Sequence, residues 1–255
     1  MWVEQESCVE GGLALGGYCS RLGDELDCGE QQAGREAGVL LEVLAQIAKG
    51  WPSEWCLEAN SLAIQVLGGY GYTRDFMVEQ YWRDNRLNMI HEGTHGIQAL
   101  DLLGRKVLLG SKGKCVRDFT RIMMHFARPQ LFARGPLGKM ARATMKRALE
   151  WNLLTLRIML RAGKDRDLVG SSSVDYLMYS GYVMMGYFWA LQAAKADKLL
   201  ASGKGAESPE FYRAKIQTAE FYFDRLLPRA DAHRKSALAP TRSLMQMGNG
   251  DFAFS

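Results

Sequence analysis

Apolar residues recur at steps of three and four along almost the whole chain, and the alternation that marks β-strands is nearly absent. The pattern predicts an all-α protein. Helices are expected over Val9 to Glu25, Gly34 to Leu67, Phe76 to Leu87, Thr94 to Leu109, Cys115 to Arg128, Leu137 to Ala162, Ser173 to Ser202 and Pro209 to Leu227. Breakers separate them: Gly68-Gly69-Tyr70-Gly71 closes one long helix, and Gly110-Ser111-Lys112-Gly113 closes another. The serines of Gly170-Ser171-Ser172-Ser173 read as an N-cap, and Pro209 after Ser208 as a first-turn proline. From Pro228 to Ser255 the periodicity fades, which predicts an irregular tail.

Tyr176 to Ala194 is an uncharged run of nineteen residues, close to a bilayer span in length. Its four tyrosines, Ser180, Gln192 and two glycines are poor partners for hydrocarbon, so the run reads as a buried bundle helix rather than a membrane span. The thirteen methionines fall mostly at helical spacing and read as adaptable core filling.

The chain has 255 residues, 47% of them apolar and 24% charged, enough for one large core or two smaller ones. The loop at Leu109 to Lys114 divides it into an N-terminal helical unit, 1–110, and a second helical module, 111–255. Net charge is +4, and the excess is local: fourteen Lys and Arg lie between Lys112 and Arg166 against Asp118, Glu150 and Asp165. No nucleic-acid motif accompanies this basic segment, which reads as solvated helix surface without a nucleic-acid partner. The five cysteines are odd in number and never form a C-x-x-C pair, as expected of reduced thiols in the cytoplasm. Glu4 and Glu6 stand where a secretion signal would be basic and then apolar.

Candidate chemistry concentrates between Gln65 and Lys106. His91-Glu92-Gly93-Thr94-His95 matches the H-E-x-x-H pattern of zinc hydrolases, in which two histidines one helical turn apart hold the metal. That reading wants a third ligand, which is not evident nearby, and Gly93 and Thr94 weaken the helix it requires. No metal is therefore expected. The glycines at 68, 69 and 71 follow a helix end rather than a strand, so they are not a dinucleotide-binding turn of the Rossmann kind. A helix C-cap or a close backbone approach to a ligand would each use them.

Three segments taken together, Gln65-Val66-Leu67-Gly68-Gly69-Tyr70-Gly71-Tyr72, then Arg83-Asp84, then Glu92-Gly93-Thr94 followed by Ile97-Gln98, resemble the C-terminal helical domain of the FAD-dependent acyl-CoA dehydrogenases. The remainder is similar to the extra C-terminal module of long bacterial members of that family, through Ser173-Val174-Asp175-Tyr176-Leu177 and Glu210-Phe211-Tyr212-Arg213-Ala214-Lys215. The resemblance implies an up-and-down helical bundle followed by a second helical module. It implies that Glu92 is the base that removes the α proton of an acyl-CoA thioester while the β carbon delivers hydride to the flavin. Gly93 would leave the acyl path open. Thr94, His95 and Gly96 would meet FAD at the start of a helix, and Gln65, Val66, Leu67, Gly68 and Gly69 would reach the adenosine half of FAD in a neighbouring subunit. A homo-oligomer and an electron-transfer flavoprotein as acceptor follow from the same resemblance. His91 stands where many members have tyrosine and Met77 where proline is common, and neither change removes a catalytic atom. Arg83 and Asp84 read as a structural ion pair or cap. The family's N-terminal helical domain and flavin-covering β domain find no counterpart in the chain, so a non-catalytic helical oligomerisation or interaction module is the alternative.

Overall fold

The computed structural model describes residues 1–251. Among them are ten α-helices and no strands: α1 (Trp2–Cys28), α2 (Gln31–Leu67), α3 (Val78–Arg86), α4 (His95–Leu100), α5 (Lys114–Ala127), α6 (Pro136–Ala162), α7 (Asp167–Ser202), α8 (Pro209–Phe221), α9 (Ala230–Ser236) and α10 (Arg242–Met245). Two of them continue as π-helix, α4 into Asp101–Gly110 and α8 into Tyr222–Leu226. The long helices α1 and α2 pack as a hairpin, and α7 runs through the centre against α1, α2, α4, α6, α8 and α9.

The uncharged run predicted as a core helix is one. Within α7, residues Tyr176 to Ala190 are all buried. Polar atoms of its aromatic residues find protein partners at Tyr176, Tyr179 and Trp189, which makes burial tolerable without lipid or water. Tyr176 Oη accepts from the Trp151 indole at 3.1 Å and lies 2.7 Å from Thr155 Oγ1. The Trp189 indole donates to the Ser7 carbonyl at 3.0 Å, and Tyr222 Oη donates to the Tyr182 carbonyl at 2.9 Å. Among the described residues no helix is long and apolar enough to cross a membrane.

Tertiary partners move several predicted boundaries. α1 begins at Trp2 rather than Val9, because Glu4 pairs with Arg229 at 2.7 Å, the Ser7 carbonyl takes the Trp189 indole and Cys8 is buried. The serine run does not cap α7, which starts at Asp167. Ser171 and Ser173 donate back to the carbonyls of Leu168 and Gly170, while Ser172 donates across to Ala237 at 2.6 Å. The tail is more ordered than its periodicity suggests: α9 is fixed by Asp231, and the Leu238 carbonyl accepts from Arg161 at 2.7 Å. The last four residues of that tail, 252–255, lie outside the described residues. Ser208 does cap α8, accepting from the Phe211 amide at 3.3 Å, with Pro209 in the first turn.

The basic segment is less of a free face than its composition suggests. Arg147 is buried, forked onto Asp231 at 2.7 and 2.9 Å, and bonded to Glu150 at 2.7 Å. Arg121 and Lys114 share Asp118, and Lys139 reaches Asp224.

Candidate active site on a turn pinned to helix α2

The residues singled out around Glu92 sit on a turn between a short 3-10 segment, Leu87–Met89, and α4. Gly93 has φ +80°, a conformation L side chains rarely adopt, and a Cβ there would come within 2.5 Å of Gln98 Nε2 and 3.6 Å of Lys49 Cε. The turn therefore closes tightly only with glycine at this position. Glu92 projects into solvent beside it. Thr94 is the N-cap residue of α4 but makes no side-chain cap, so the first-turn amides of that helix are not capped by it.

What holds the turn is a polar stripe on α2. Glu42, Gln46, Lys49 and Ser53 recur at steps of four, three and four, which sets them on one face of the helix. Each grips the segment that follows α3. Glu42 pairs with Lys106 at 3.2 Å, and Gln46 donates to Asp101 at 2.7 Å. Lys49 donates to the Asn88 carbonyl, and Ser53 Oγ lies 2.8 Å from His95 Nε2. Glu54, next on the helix, places Oε2 3.2 Å from His95 Nδ1. Pro52 has no amide hydrogen to give the Ala48 carbonyl, and the adjacent Ser53 hydroxyl donates to Lys49 O at 2.8 Å and Gly50 O at 3.0 Å. The His95 hydrogen bond holds the Glu54 carboxyl below the ordinary carboxylate range. Bonded to Arg105 and Gln46, the Asp101 carboxyl is lowered in the same direction.

This geometry removes the zinc-hydrolase reading. His91, Glu92 and Gly93 lie in a bend and the helix begins at His95, so the two histidines are not one helical turn apart. Both ring nitrogens of His95 face protein partners.

At the far end of α2, Gln65, Val66 and Leu67 form the last helical turn and the double glycine ends it. Gly68, with φ 59° and ψ −140°, donates its amide to the Gln65 carbonyl. A Cβ added at Gly68, Gly69 or Gly96 would meet nothing within 4 Å, so a flat or phosphate-bearing group can lie directly against these backbones. Gly71 is different: it is buried, and a Cβ there would stand 2.5 Å from the Ile64 carbonyl oxygen. The two candidate cofactor segments are not brought together within one chain. Fifteen residues separate Ser53, beside His95, from Gly68, which is about 22 Å along a helix rising 1.5 Å per residue. Arg83 does not pair with Asp84; it bonds Glu79 at 3.2 Å, one turn earlier on α3.

Two family models cover most of the chain. Residues 28–108 match the acyl-CoA dehydrogenase C-terminal domain, and residues 116–248 match the acetyl-CoA dehydrogenase C-terminal-like domain. The chain belongs to the acyl-CoA dehydrogenase family. The 3-methylmercaptopropionyl-CoA dehydrogenase of Ruegeria pomeroyi is 34% identical over 245 residues, 91% of this chain and 39% of that protein. The broad-specificity linear acyl-CoA dehydrogenase FadE5 of Mycobacterium tuberculosis is 28% identical over 98% of this chain and 42% of its own length. The fold matches an acyl-CoA dehydrogenase of Bacillus anthracis solved in complex with FAD, at a TM-score of 0.68 and 18% identity, over 97% of this chain and 41% of that one. The chain thus spans about two-fifths of the length of these relatives.

Within this family domain, Lys49, Ser53 and Glu54 are the residues that sequence reasoning passed over. Their spacing was visible, but their partners lie tens of residues away.

Proposed function

We propose that the chain is the C-terminal helical part of an FAD-dependent acyl-CoA dehydrogenase that introduces an α,β double bond into an acyl-CoA, with Glu92 as the base. The observation that carries this reading is the presentation of Glu92: an accessible carboxylate on a glycine-closed turn, anchored to α2 on both sides, at Asn88 and at His95. A carboxylate so placed can take a proton from a carbon acid laid over the turn. The Glu92 backbone amide is the group that would steady the thioester oxygen as charge gathers there, and Gly93 would leave the acyl chain's path clear.

The open backbones at Gly68, Gly69 and Gly96 fit a cofactor that lies flat on the surface. In this reading Gln65, Val66, Leu67, Gly68 and Gly69 hold the adenosine half of FAD and Thr94, His95 and Gly96 contact it at the start of α4. Bound FAD would supply the hydride acceptor. The 22 Å between the two segments supports a homo-oligomer in which each FAD meets one segment from each of two subunits. An electron-transfer flavoprotein is the proposed electron acceptor; the caffeyl-CoA reductase–Etf complex subunit CarC of Acetobacterium woodii is 42% identical over 60 residues. Residues 1–110 would carry the site and residues 111–255 a supporting helical module.

The test joins the chain to the flavin-covering portion of its Ruegeria pomeroyi relative and measures acyl-CoA-dependent dye reduction. Glu92→Gln should lower turnover by about a thousandfold, within the range a general base contributes, while the flavin absorption band persists. Substantial turnover in E92Q refutes the assignment. A second reading, a helical interaction module without catalysis of its own, is favoured by the exposed aromatic residues Tyr70, Tyr72, Tyr81 and Trp82. A purified chain that binds its missing portion without taking up flavin would select that reading.

A further inference from the structure

The ring of His95 is turned away from the exposed side of the Glu92 turn and into α2. Ser53 Oγ has one hydrogen, and it is directed at the Lys49 and Gly50 carbonyls, at 2.8 and 3.0 Å. The same oxygen lies 2.8 Å from His95 Nε2. On the other side of the ring, Glu54 Oε2 at 3.2 Å accepts from Nδ1. Both ring nitrogens are thus engaged by α2.

Lys49 fixes the other end of the turn at Asn88. Lys49 and Ser53 are four residues apart on α2, so the two pins lie one helical turn from each other, about 6 Å. Between them the chain must pass through Glu92 and the left-handed Gly93. Only Gly93 and Thr94 lie between Glu92 and His95, too few for the second pin to loosen without moving the carboxylate.

We infer that His95 is a positioning residue: bonded to Ser53 and Glu54, it fixes the turn that carries Glu92 and so sets where that carboxylate points. This rests on the reading of Glu92 as the base for its catalytic meaning, and on the geometry alone for its mechanical one. The charged groups around the contact are Lys49 and Glu54 of α2, Arg86 of α3, and His233 of α9 with its partner Asp175 of α7, 2.8 Å away. Arg86 and His233 both act on Glu54 in the same direction as His95.

Hydrogen exchange of the whole chain, read by mass spectrometry or NMR, tests this without turnover. His95→Phe fills the space without donors and should raise exchange of the amides from Ile90 to Gly96 about tenfold or more, the effect of losing a charge-assisted hydrogen bond. Amides of α7 should keep their protection. His95→Gln, which retains one donor, should recover part of the difference, and His91→Gln, on the exposed neighbour, none of it. If H95F does not fold, Glu54→Gln should give the same rise in smaller measure. Unchanged exchange at Ile90 to Gly96 in a folded variant overturns the proposal. In the flavin-loaded assembly kcat should fall more than KM rises. Because the exchange result does not depend on catalysis, it stands or falls separately from the E92Q experiment.

Discussion

Gly181 is the residue that lets Trp51 reach the centre of the molecule. A Cβ built on Gly181 would overlap Cδ1 and Cγ of the Trp51 ring and lie 2.7 Å from its Cβ. The contact joins α2 to α7, and Tyr182 beside it packs edge-on to Trp51 and Trp55, with ring centroids 5.6 and 5.5 Å apart.

Gly181→Ala should therefore destabilise the protein, although alanine is the better helix former by about 1 kcal/mol. Forcing a methyl group into a filled helix contact costs about 1–3 kcal/mol or more, and here the overlap is with a fully buried ring, so packing wins. Thermal unfolding followed by circular dichroism should shift down by about 2–4 °C for each kcal/mol lost. Gly17→Ala, on an exposed stretch of α1 where a Cβ meets nothing within 4 Å, should shift it up, by about 0.5–1 kcal/mol.

Arg147 should set an acid limit on stability. Its hydrogen bonds hold the Asp231 carboxyl down at about 2, well below the ordinary carboxylate value. A group lowered in the folded state contributes stability above its unfolded value, near 4, and that contribution is lost as pH falls from there toward 2. Arg147→Met should remove this window from the pH dependence of urea unfolding. The Asp231 side chain is 40% exposed, so water can take over its solvation. The neutral-pH cost should then be about 1–3 kcal/mol, short of the larger penalty for stranding a fully buried charge.

The thiols should be unequal. All five cysteines are free, and Cys28 is the exposed one. Burial pushes Cys8 up to about 12 and Cys19 up to about 11, and raises Cys56 and Cys115 as well. A disulfide-exchange reagent at neutral pH should titrate one thiol rapidly in the native protein and five after denaturation. Fast reaction of Cys8 would contradict the packing of α1 against the core.

Much of the fold was legible because it depends on local pattern. The three-and-four spacing, the glycines at 68 and 110 and the Ser208-Pro209 start appear where the sequence puts them. What escaped depends on partners distant in sequence. The polar opening of α1 is helical because Arg229 and Trp189 wait for it, and the serine run lies inside α7 because Ser172 bonds Ala237. The same holds at the candidate site. The glycine turn and Glu92 were readable as a motif, whereas the grip of Ser53 and Glu54 on His95 joins residues 42 and 41 positions apart, each unremarkable alone.

The place of α7 at the centre also orders events during synthesis. Trp51 leaves the ribosome about 130 residues ahead of Gly181, an interval on the order of ten seconds at ordinary elongation rates. For that time the nascent α1–α2 hairpin shows its indole side to water with no helix to cover it. Production of this chain should accordingly lean on chaperones that shield apolar segments until translation has passed the midpoint of α7.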